Sequence, residues 1–258
     1  MQYVTWNVVG GIGYITLNRP DKRNALNAQV VSELKECVSH AEHDTSCKIV
    51  VLQSNGPAFC AGADLDYIKQ LRDNTFDENL QDSAHLMDLF RMIYTHPKVF
   101  ISKVNGPALA GGCGLATVTD FCFASEGSTF GYTEAKIGFV PAIVMVFLLR
   151  KIGEGRTREI MLRANIFDAN KAMAYGMVNE VVKADELDDE VRTFAQKLIN
   201  SNSKQSMAAI KRMLAEVPEK TFTEALEYAA AFNAEMRVTE DCKRGINAFL
   251  NKEKISWD

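Results

Sequence analysis

The sequence predicts an α/β fold. Short runs of β-branched and aromatic residues at 49–52, 99–104 and 121–124 are typical of buried strands. They alternate with helical patterns over 27–42 and 82–94, in which apolar residues recur every three or four positions. Such alternation is typical of domains in which helices cover a largely parallel sheet.

The chain begins with a predicted β-hairpin. Residues 3–8 and 12–17 are rich in β-branched and aromatic side chains, and the turn Val9-Gly10-Gly11 separates them. Farther on, Ser54-Asn55-Gly56-Pro57 forms a second turn signal, which ends the strand predicted before it. The N-terminal part of the chain is therefore predicted to contain both strands and helices.

Only helical patterns follow Val182. They cover 185–200, 204–216 and 221–249, and Pro218 separates the last two. This change indicates two parts of the chain, which we place at residues 1–200 and 201–258. The last helix carries small residues that suit close packing on another helix or another subunit, namely Ala225, Leu226, Ala229, Ala230, Phe232 and Asn233. Packing within one protomer and packing between protomers both remain open on this pattern.

Composition and charge narrow the classes of partner. The 258 residues are 47% hydrophobic and 24% charged, and the formal net charge is -4, which is ordinary for a globular protein. With no basic face indicated, we expect neither nucleic acid nor a membrane as a partner. The six cysteines include no CxxC pair, so no metal site or disulfide framework is expected. The N-terminus lacks the features of a signal peptide and no run suits a membrane span, so we expect a cytoplasmic location.

The most informative stretch lies between residues 104 and 141. An apolar strand leads into Gly111-Gly112, and an apolar helical pattern over 113–119 follows at once. A strand that turns through glycines into a helix directs free backbone N–H groups at whatever lies in front of the helix. Farther along, Glu134 stands in a short polar stretch between apolar residues. Amide donors for an oxyanion beside one carboxylate indicate acyl-group chemistry through an enolate.

Five segments carry a family resemblance that covers almost the whole chain. They are Ile15–Pro20 with Lys22–Leu26, then Phe59–Leu65, the glycine segment, Phe130–Pro141 and Ala248–Lys252. In this order and spacing they resemble the crotonase superfamily, the enoyl-CoA hydratase/isomerase family. The resemblance implies a crotonase-like spiral of ββα units with a C-terminal helical trimerisation region. It also implies a homotrimer, often paired into a homohexamer.

The resemblance further implies the residues of the site. The backbone N–H groups of Ala63 and Gly111 would stabilise the thioester oxyanion, and small side chains around Ala63 permit close approach of a ligand to the backbone. The residues implied to contact the acyl-CoA substrate are Lys22, Arg23, Ala25, Ala61, Ala63, Asp64, Leu65 and Gly111, together with Phe249 and Lys252, which commonly reach it from a neighbouring subunit. Coenzyme A is part of the substrate, so no separate cofactor is expected.

One departure from the family concerns the catalytic residues. Hydratases of this family usually carry two glutamates, and Gly114 stands at the position of the first, whereas Glu134 matches the second. A single carboxylate can move a proton between two carbons of an acyl chain, or it can hold a water and relay its proton. Three functions therefore remain open. They are an acyl-CoA hydratase acting on an enoyl- or branched glutaconyl-CoA, a Δ3,Δ2-type enoyl-CoA isomerase with Glu134 as sole proton shuttle, and a non-catalytic acyl-CoA-binding homologue.

The residues after Glu134 favour the first of these functions. The stretch Pro141–Phe147, together with glycine at position 114, is similar to a bacterial branch of methylglutaconyl-CoA and related hydratases. A substrate with a free carboxylate would need a cation nearby, and the candidates in sequence are Lys136, Arg150 and Lys151. The resemblance also implies that Asp120 braces the oxyanion turn.

Overall fold

The computed structural model describes residues 1–257 and has the predicted α/β architecture. Its strands are β1 (Val4–Val9), β2 (Ile12–Leu17), β3 (Ile49–Ser54), β4 (Val99–Val104), β5 (Ala108–Leu109), β6 (Phe121–Ser125), β7 (Thr129–Gly131), β8 (Phe167–Asp168) and β9 (Glu180–Val182). The main sheet has the order β1-β2-β3-β4-β6-β9. Within it β1 and β2 are antiparallel, as expected for a hairpin, and the other neighbours are parallel.

A second, smaller sheet has the order β5-β7-β8. The strands β5 and β7 are parallel, so the chain leaves both of them at the same edge. Each strand is only two or three residues long. The sequence patterns do not predict this sheet, although it carries the candidate site.

Ten helices occur within residues 1–257. They are α1 (Ala28–His43), α2 (Leu65–Leu71), α3 (Phe76–Thr95), α4 (Gly111–Thr117), α5 (Ala142–Arg163), α6 (Ala169–Tyr175), α7 (Leu187–Ser201), α8 (Lys204–Glu216), α9 (Phe222–Arg237) and α10 (Glu240–Asn251). The polypeptide kinks within α5 at Gly153, where φ is 78°.

Two predicted helices have different bounds in the structure. The helix predicted over 82–94 begins earlier, at Phe76, because Thr75 and Glu78 form a reciprocal capping box there. The single helix predicted over 221–249 is wrong, since α9 and α10 are separate helices. Thr239 accepts a hydrogen bond from the amide of Cys242 at 3.3 Å and so caps a new helix.

Apolar residues cover both faces of the main sheet. On one face, Val50 and Phe100 pack with Leu34 of α1 in the larger core. On the other face, Val51 packs in a second cluster that includes Val191 of α7. Because both faces are buried, the parallel strands have nearly continuous apolar sequences, which is why their positions are predictable.

The two C-terminal helices bury few of their own residues. In α9 only Phe232 is buried, and in α10 only Ala248. Leu226 of the small-residue face is 56% exposed, and Leu250 of α10 is 70% exposed. These helices therefore present apolar surface that the protomer leaves uncovered. Among the described helices, none has both the length and the apolar character required to cross a bilayer.

Candidate active site

Three stretches of backbone run side by side towards the site. Cys60 pairs with Ala108, because the Cys60 amide donates to the Pro107 carbonyl at 3.1 Å and the Leu109 amide donates to the Cys60 carbonyl at 3.0 Å. On its other side, Ala108 pairs with Phe130 of β7. All three stretches are parallel, so the residues that follow them emerge together at one edge. This edge receives the residues around Ala63, Gly111 and Glu134, which lie far apart in sequence.

Two free amides lie at this edge. A Cβ atom on Gly62 would lie 3.0 Å from Cβ of Ala110, so the residues that follow each of them, Ala63 and Gly111, leave two segments in close contact. The amide of Gly111 begins α4 and has no acceptor within the helix. Among residues 1–257, neither this amide nor that of Ala63 donates to a protein acceptor. Two unsatisfied donors from adjacent segments are suited to binding one oxyanion.

Close packing of α4 against the Cys60 segment depends on Gly112, the second glycine of the pair Gly111-Gly112. A Cβ atom on Gly112 would lie 2.2 Å from the carbonyl oxygen of Cys60, whereas one on Gly111 would lie 3.5 Å from Leu26. Ala110 precedes them with φ 50° and ψ -125°, a conformation that costs a non-glycine residue about 1–3 kcal/mol. The turn from β5 into α4 is therefore tight, and it is held by its packing.

Glu134 is the buried carboxylate of the site. It begins a short 3-10 helix over Glu134–Ile137 that follows β7. The residue is 9% exposed, and its Oε2 atom has no hydrogen-bond partner among the described residues. Burial raises the pKa of this carboxyl above its ordinary value, and a hydrogen bond from its own backbone amide opposes that shift. A buried carboxyl group with a raised pKa and one oxygen without a partner has the properties of a general acid–base group.

Gly114 has no space for a side chain. A Cβ atom there would lie 2.2 Å from Cγ1 of Val144 in α5 and 3.0 Å from Cε1 of Phe90 in α3. Val144 is itself buried. The space beside Gly114 is therefore filled by two other helices, and the glycine is a packing position between α4 and α5.

The basic loop predicted to bind coenzyme A lies beside the Ala63 segment. The Ala61 amide donates to the carbonyl of Arg23 at 3.0 Å. Lys22 and Arg23 are exposed, whereas Ala25 is buried. The Nζ atom of Lys22 lies 3.2 Å from a carboxylate oxygen of Asp66, an exposed pair that would exchange readily with another anion. The structure thus brings Lys22, Arg23, Ala25 and Ala61 together.

The two residues after Ala63 differ in their surroundings. The carboxylate of Asp64 lies 2.6 Å from Nη1 of Arg19 and also accepts from the amide of Asp66 at the start of α2. Burial alone raises the pKa of Asp64, but the hydrogen bonds from Asp66 and Arg19 outweigh it, so the pKa is below its ordinary value. This side chain braces the loop. Leu65, in contrast, is 74% exposed and open to a ligand.

The C-terminal candidates lie on α10. Phe249 is 82% exposed, and Lys252 ends the helix with φ 56°. No hydrogen bond or ion pair joins either side chain to the three segments within residues 1–257. Their contact with substrate stays a prediction.

Two of the three basic residues that could bind a carboxylate of the substrate already have protein partners. Nζ of Lys151 is buried and donates to the carbonyls of Thr117 and Thr119 at 2.9 and 2.8 Å. Arg150 pairs with Glu219. Lys136, two residues after Glu134, is exposed.

The bracing contacts of Asp120 are with β4 and α8. Its Oδ2 atom accepts from the amide of Phe100 at 2.7 Å and from Nζ of Lys211 at 2.6 Å. The side chain therefore connects a strand of the main sheet to a C-terminal helix, away from the turn that precedes α4.

Sequence reasoning missed four residues that shape the site. Val144 and Phe90 fill the space beside Gly114, and Tyr132 and Thr117 form a buried hydrogen bond beside Glu134. The apolar stretch after Pro141 was the one signal for Val144. The other three pack across elements that are distant in sequence.

The fold and the paired amides define a class of enzymes that act on acyl thioesters. A family model described as "Enoyl-CoA hydratase/isomerase" matches residues 7–258. A protein of Thermus thermophilus, provisionally named an enoyl-CoA hydratase, is 36% identical over 94% of this chain and 96% of its own length. The crotonyl-CoA hydratase of Syntrophomonas wolfei is 30% identical over 95% of this chain and 94% of its own.

The fold is also similar to that of a solved enoyl-CoA hydratase. The enoyl-CoA hydratase of Shewanella pealeana superposes with a TM-score of 0.93 at 32% identity and covers 99% of this chain and 96% of that one. The chain belongs to the enoyl-CoA hydratase/isomerase family, the crotonase superfamily. The predictions of a crotonase-like fold and of an enzyme are therefore confirmed.

Proposed function

We propose that this enzyme adds water to the double bond of an enoyl-CoA thioester. The observation that carries the proposal is the buried, unpartnered carboxylate of Glu134 on the segment next to two free amides. The name of the Syntrophomonas wolfei relative, a crotonyl-CoA hydratase, supports the same reaction. The substrate supplies coenzyme A, and the proposal requires no other cofactor.

In the proposed reaction, the thioester oxygen accepts hydrogen bonds from the amides of Ala63 and Gly111. Glu134 takes a proton from a water molecule, and the water oxygen attacks the β-carbon. The negative charge that reaches the thioester oxygen is stabilised by the two amides, which are each worth about 3–4 kcal/mol in sites of this kind. Glu134 then returns the proton to the α-carbon, which completes the addition of one water.

Exposed basic residues suit the rest of the substrate. Lys22 and Arg23 lie beside the Ala61–Ala63 segment, where they would meet the phosphates of coenzyme A. We infer that Lys136, exposed and close to Glu134 in the chain, is the cation that would meet a carboxylate on a branched glutaconyl-CoA.

The packing at Gly114 supports a second candidate reaction. Because Val144 fills the position of a second carboxylate, Glu134 could serve as the sole shuttle of a Δ3,Δ2-type isomerase. In that reaction Glu134 removes a proton from the α-carbon of a β,γ-unsaturated thioester and returns it to the γ-carbon. The same two amides stabilise the intermediate dienolate.

The two reactions change the ultraviolet absorbance of the conjugated enoyl thioester in opposite directions. We expect crotonyl-CoA or 3-methylglutaconyl-CoA to lose this absorbance as water adds. A gain of absorbance from a 3-enoyl-CoA, without loss from either conjugated substrate, would show that the isomerase is correct. No change with any of these substrates would contradict both proposals.

We further propose that the C-terminal helices form a homotrimer or a homohexamer. Leu226 and Leu250 are exposed in the protomer, and Phe222 at the start of α9 is 81% exposed. Large uncovered apolar surfaces of this kind mark protein–protein contacts. Light scattering after size-exclusion chromatography is expected to give about three or six times the protomer mass of 28.7 kDa. A monomer at micromolar concentration would contradict this assignment.

The division at residues 1–200 and 201–258 stays a prediction, as does a cytoplasmic location.

A further inference from the structure

Two buried polar side chains, Thr117 of α4 and Tyr132, connect α4 to the segment that carries Glu134. The hydroxyl of Tyr132 lies 3.0 Å from Oγ1 of Thr117, and Tyr132 is only 1% exposed. Oγ1 of Thr117 donates to the carbonyl of Cys113 at 3.0 Å, with the carbonyl of Gly114 at 3.3 Å. The buried thiol of Cys113 lies near the Tyr132 hydroxyl. The proposed reaction uses none of these groups.

The hydrogen bonds of this network run in one direction. Thr117 has one hydroxyl proton, which it gives to the carbonyls of α4, so it must accept the proton of Tyr132. Burial raises the pKa of Tyr132 well above its ordinary value and raises that of Cys113 to about 12. Both groups therefore remain protonated at neutral pH, and the network is not itself a source of acid or base.

A second hydrogen bond between these two parts of the chain involves Gly131, one residue before Tyr132. The carbonyl of Gly131 accepts from the amide of Ala110 at 2.7 Å, immediately before α4 begins. Together with the pairing of β7 to β5 and β8, this bond holds the segment as far as Gly131. The bond between Tyr132 and Thr117 attaches the same segment to the far end of α4. Two attachments fix both its distance from the helix and its angle to the helix.

The carboxylate of Glu134 depends on this arrangement. Its Oε2 atom has no protein partner among residues 1–257, so no side-chain contact at that atom holds it in place. A hydrogen bond to the carboxyl group comes from the backbone amide of Glu134 itself, so the position of this group follows the backbone of the segment that begins at Tyr132. We propose that the Tyr132 hydroxyl is a positioning group that holds Glu134 at a fixed place relative to the Gly111 amide. This inference rests on the proposed role of Glu134 in the reaction.

The test compares two variants that break the bond with one that keeps it. Tyr132→Phe removes one hydroxyl, Thr117→Val removes the other, and Thr117→Ser keeps it. The substrate is whichever of crotonyl-CoA, 3-methylglutaconyl-CoA or a 3-enoyl-CoA the unaltered enzyme converts. An ångström of misplacement can cost up to about 100-fold in rate, so we expect kcat to fall about tenfold in the first two variants, with KM changed by less than about twofold.

The double variant and the pH profile separate positioning from general destabilisation. Because both changes break one bond, Tyr132→Phe with Thr117→Val should be no slower than the worse single variant. The acidic limb of the kcat profile should move, since the surroundings of Glu134 change. Thr117→Ser should keep the kcat of the unaltered enzyme. A multiplicative loss in the double variant, or an unchanged kcat in Tyr132→Phe, would overturn the proposal.

A measurement without substrate keeps the inference testable if the proposed reaction fails. Amide hydrogen exchange in the ligand-free protein is expected to be faster over residues 131–138 in Tyr132→Phe, while exchange in β3 and β4 stays unchanged. Exchange over 131–138 equal to that of the unaltered protein would refute the attachment itself. Faster exchange with no turnover in any protein would instead refute the proposed reaction and keep the attachment.

Discussion

Replacing Glu134 by glutamine is expected to lower turnover by about 100-fold or more, the usual range for a lost acid–base group. The amide has nearly the shape of the carboxyl group but cannot act as an acid or a base near neutral pH. Binding of coenzyme A should persist, because the amides of Ala63 and Gly111 and the basic loop at Lys22 are untouched. Initial rates and ligand-induced thermal shifts measure these two results separately. Glu126→Gln, a change at an exposed glutamate, is the matched control and should have no effect on either.

The same substitution should make the protein more stable at neutral pH. Burial raises the pKa of Glu134 in the folded chain above its value in the unfolded chain. Between these two pKa values the folded chain keeps a proton that the unfolded chain has lost, so stability falls as pH rises through that window. Glutamine does not titrate there. The melting temperature of Glu134→Gln should therefore exceed that of the unaltered protein by a margin that grows with pH and then levels off above the raised pKa.

The activity of the unaltered enzyme should show the opposite dependence on pH. A general base must be ionised, so kcat/KM should fall as pH drops below the raised pKa of Glu134. If Glu134→Gln keeps most of its turnover, Glu134 is not the acid–base group of the reaction. A melting temperature that differs from the unaltered one by the same amount at every pH would mean that the carboxyl group is solvated in solution.

Gly114→Glu is expected to destabilise the fold rather than to supply a second catalytic carboxylate. Its Cβ atom would lie 2.2 Å from Cγ1 of Val144, and forced overpacking of this kind costs about 1–3 kcal/mol. A carboxylate buried there without a partner adds a further penalty. For a chain of this size we expect the melting temperature to fall by about 5–10 °C, which calorimetry can measure.

A second substitution should relieve the clash. Val144→Ala removes Cγ1, the nearest atom to the new side chain, but keeps Cβ, which would lie 2.8 Å from it. Gly114→Glu should therefore cost less in that background than in the unaltered chain, although not nothing. Gly111→Ala, where the added atom lies 3.5 Å from Leu26, is the folding control and should leave the melting temperature nearly unchanged. Equal destabilisation by Gly114→Glu with and without Val144→Ala would contradict the described contact between α4 and α5. If the hydratase rate rises only when Gly114→Glu is combined with Val144→Ala, the packing of Val144 is what excludes a second catalytic carboxylate.

Most of the main sheet was predictable from the sequence because burial on both faces gives β3 and β4 continuous apolar runs. Glu134 could be singled out because it is the one carboxylate in the polar stretch between Phe130 and Ile137. The small sheet was not, since strands of two or three residues are too short to show a period. The full helix α5 was also missed. Its apolar residues point both inward, as at Val144, and outward, as at Val146, which is 52% exposed, so no single apolar face marks it.

The break between α9 and α10 could not be predicted from the sequence for a different reason. No glycine or proline stands at Val238 or Thr239, so the helical pattern continues across the break without a strong helix breaker. The hydroxyl of Thr239 nevertheless caps a new helix. The bond between Tyr132 and Thr117 was invisible for a related reason, because a polar side chain in the sequence does not reveal its partner.

Among the described residues, the backbone amides of Ala63 and Gly111 have no acceptor, and Oε2 of Glu134 has no donor. In the proposed reaction the thioester oxygen is that acceptor and a water molecule is that donor. Binding of the substrate would therefore complete the hydrogen bonding at this edge of the small sheet, so that the substrate becomes a part of the structure that holds it.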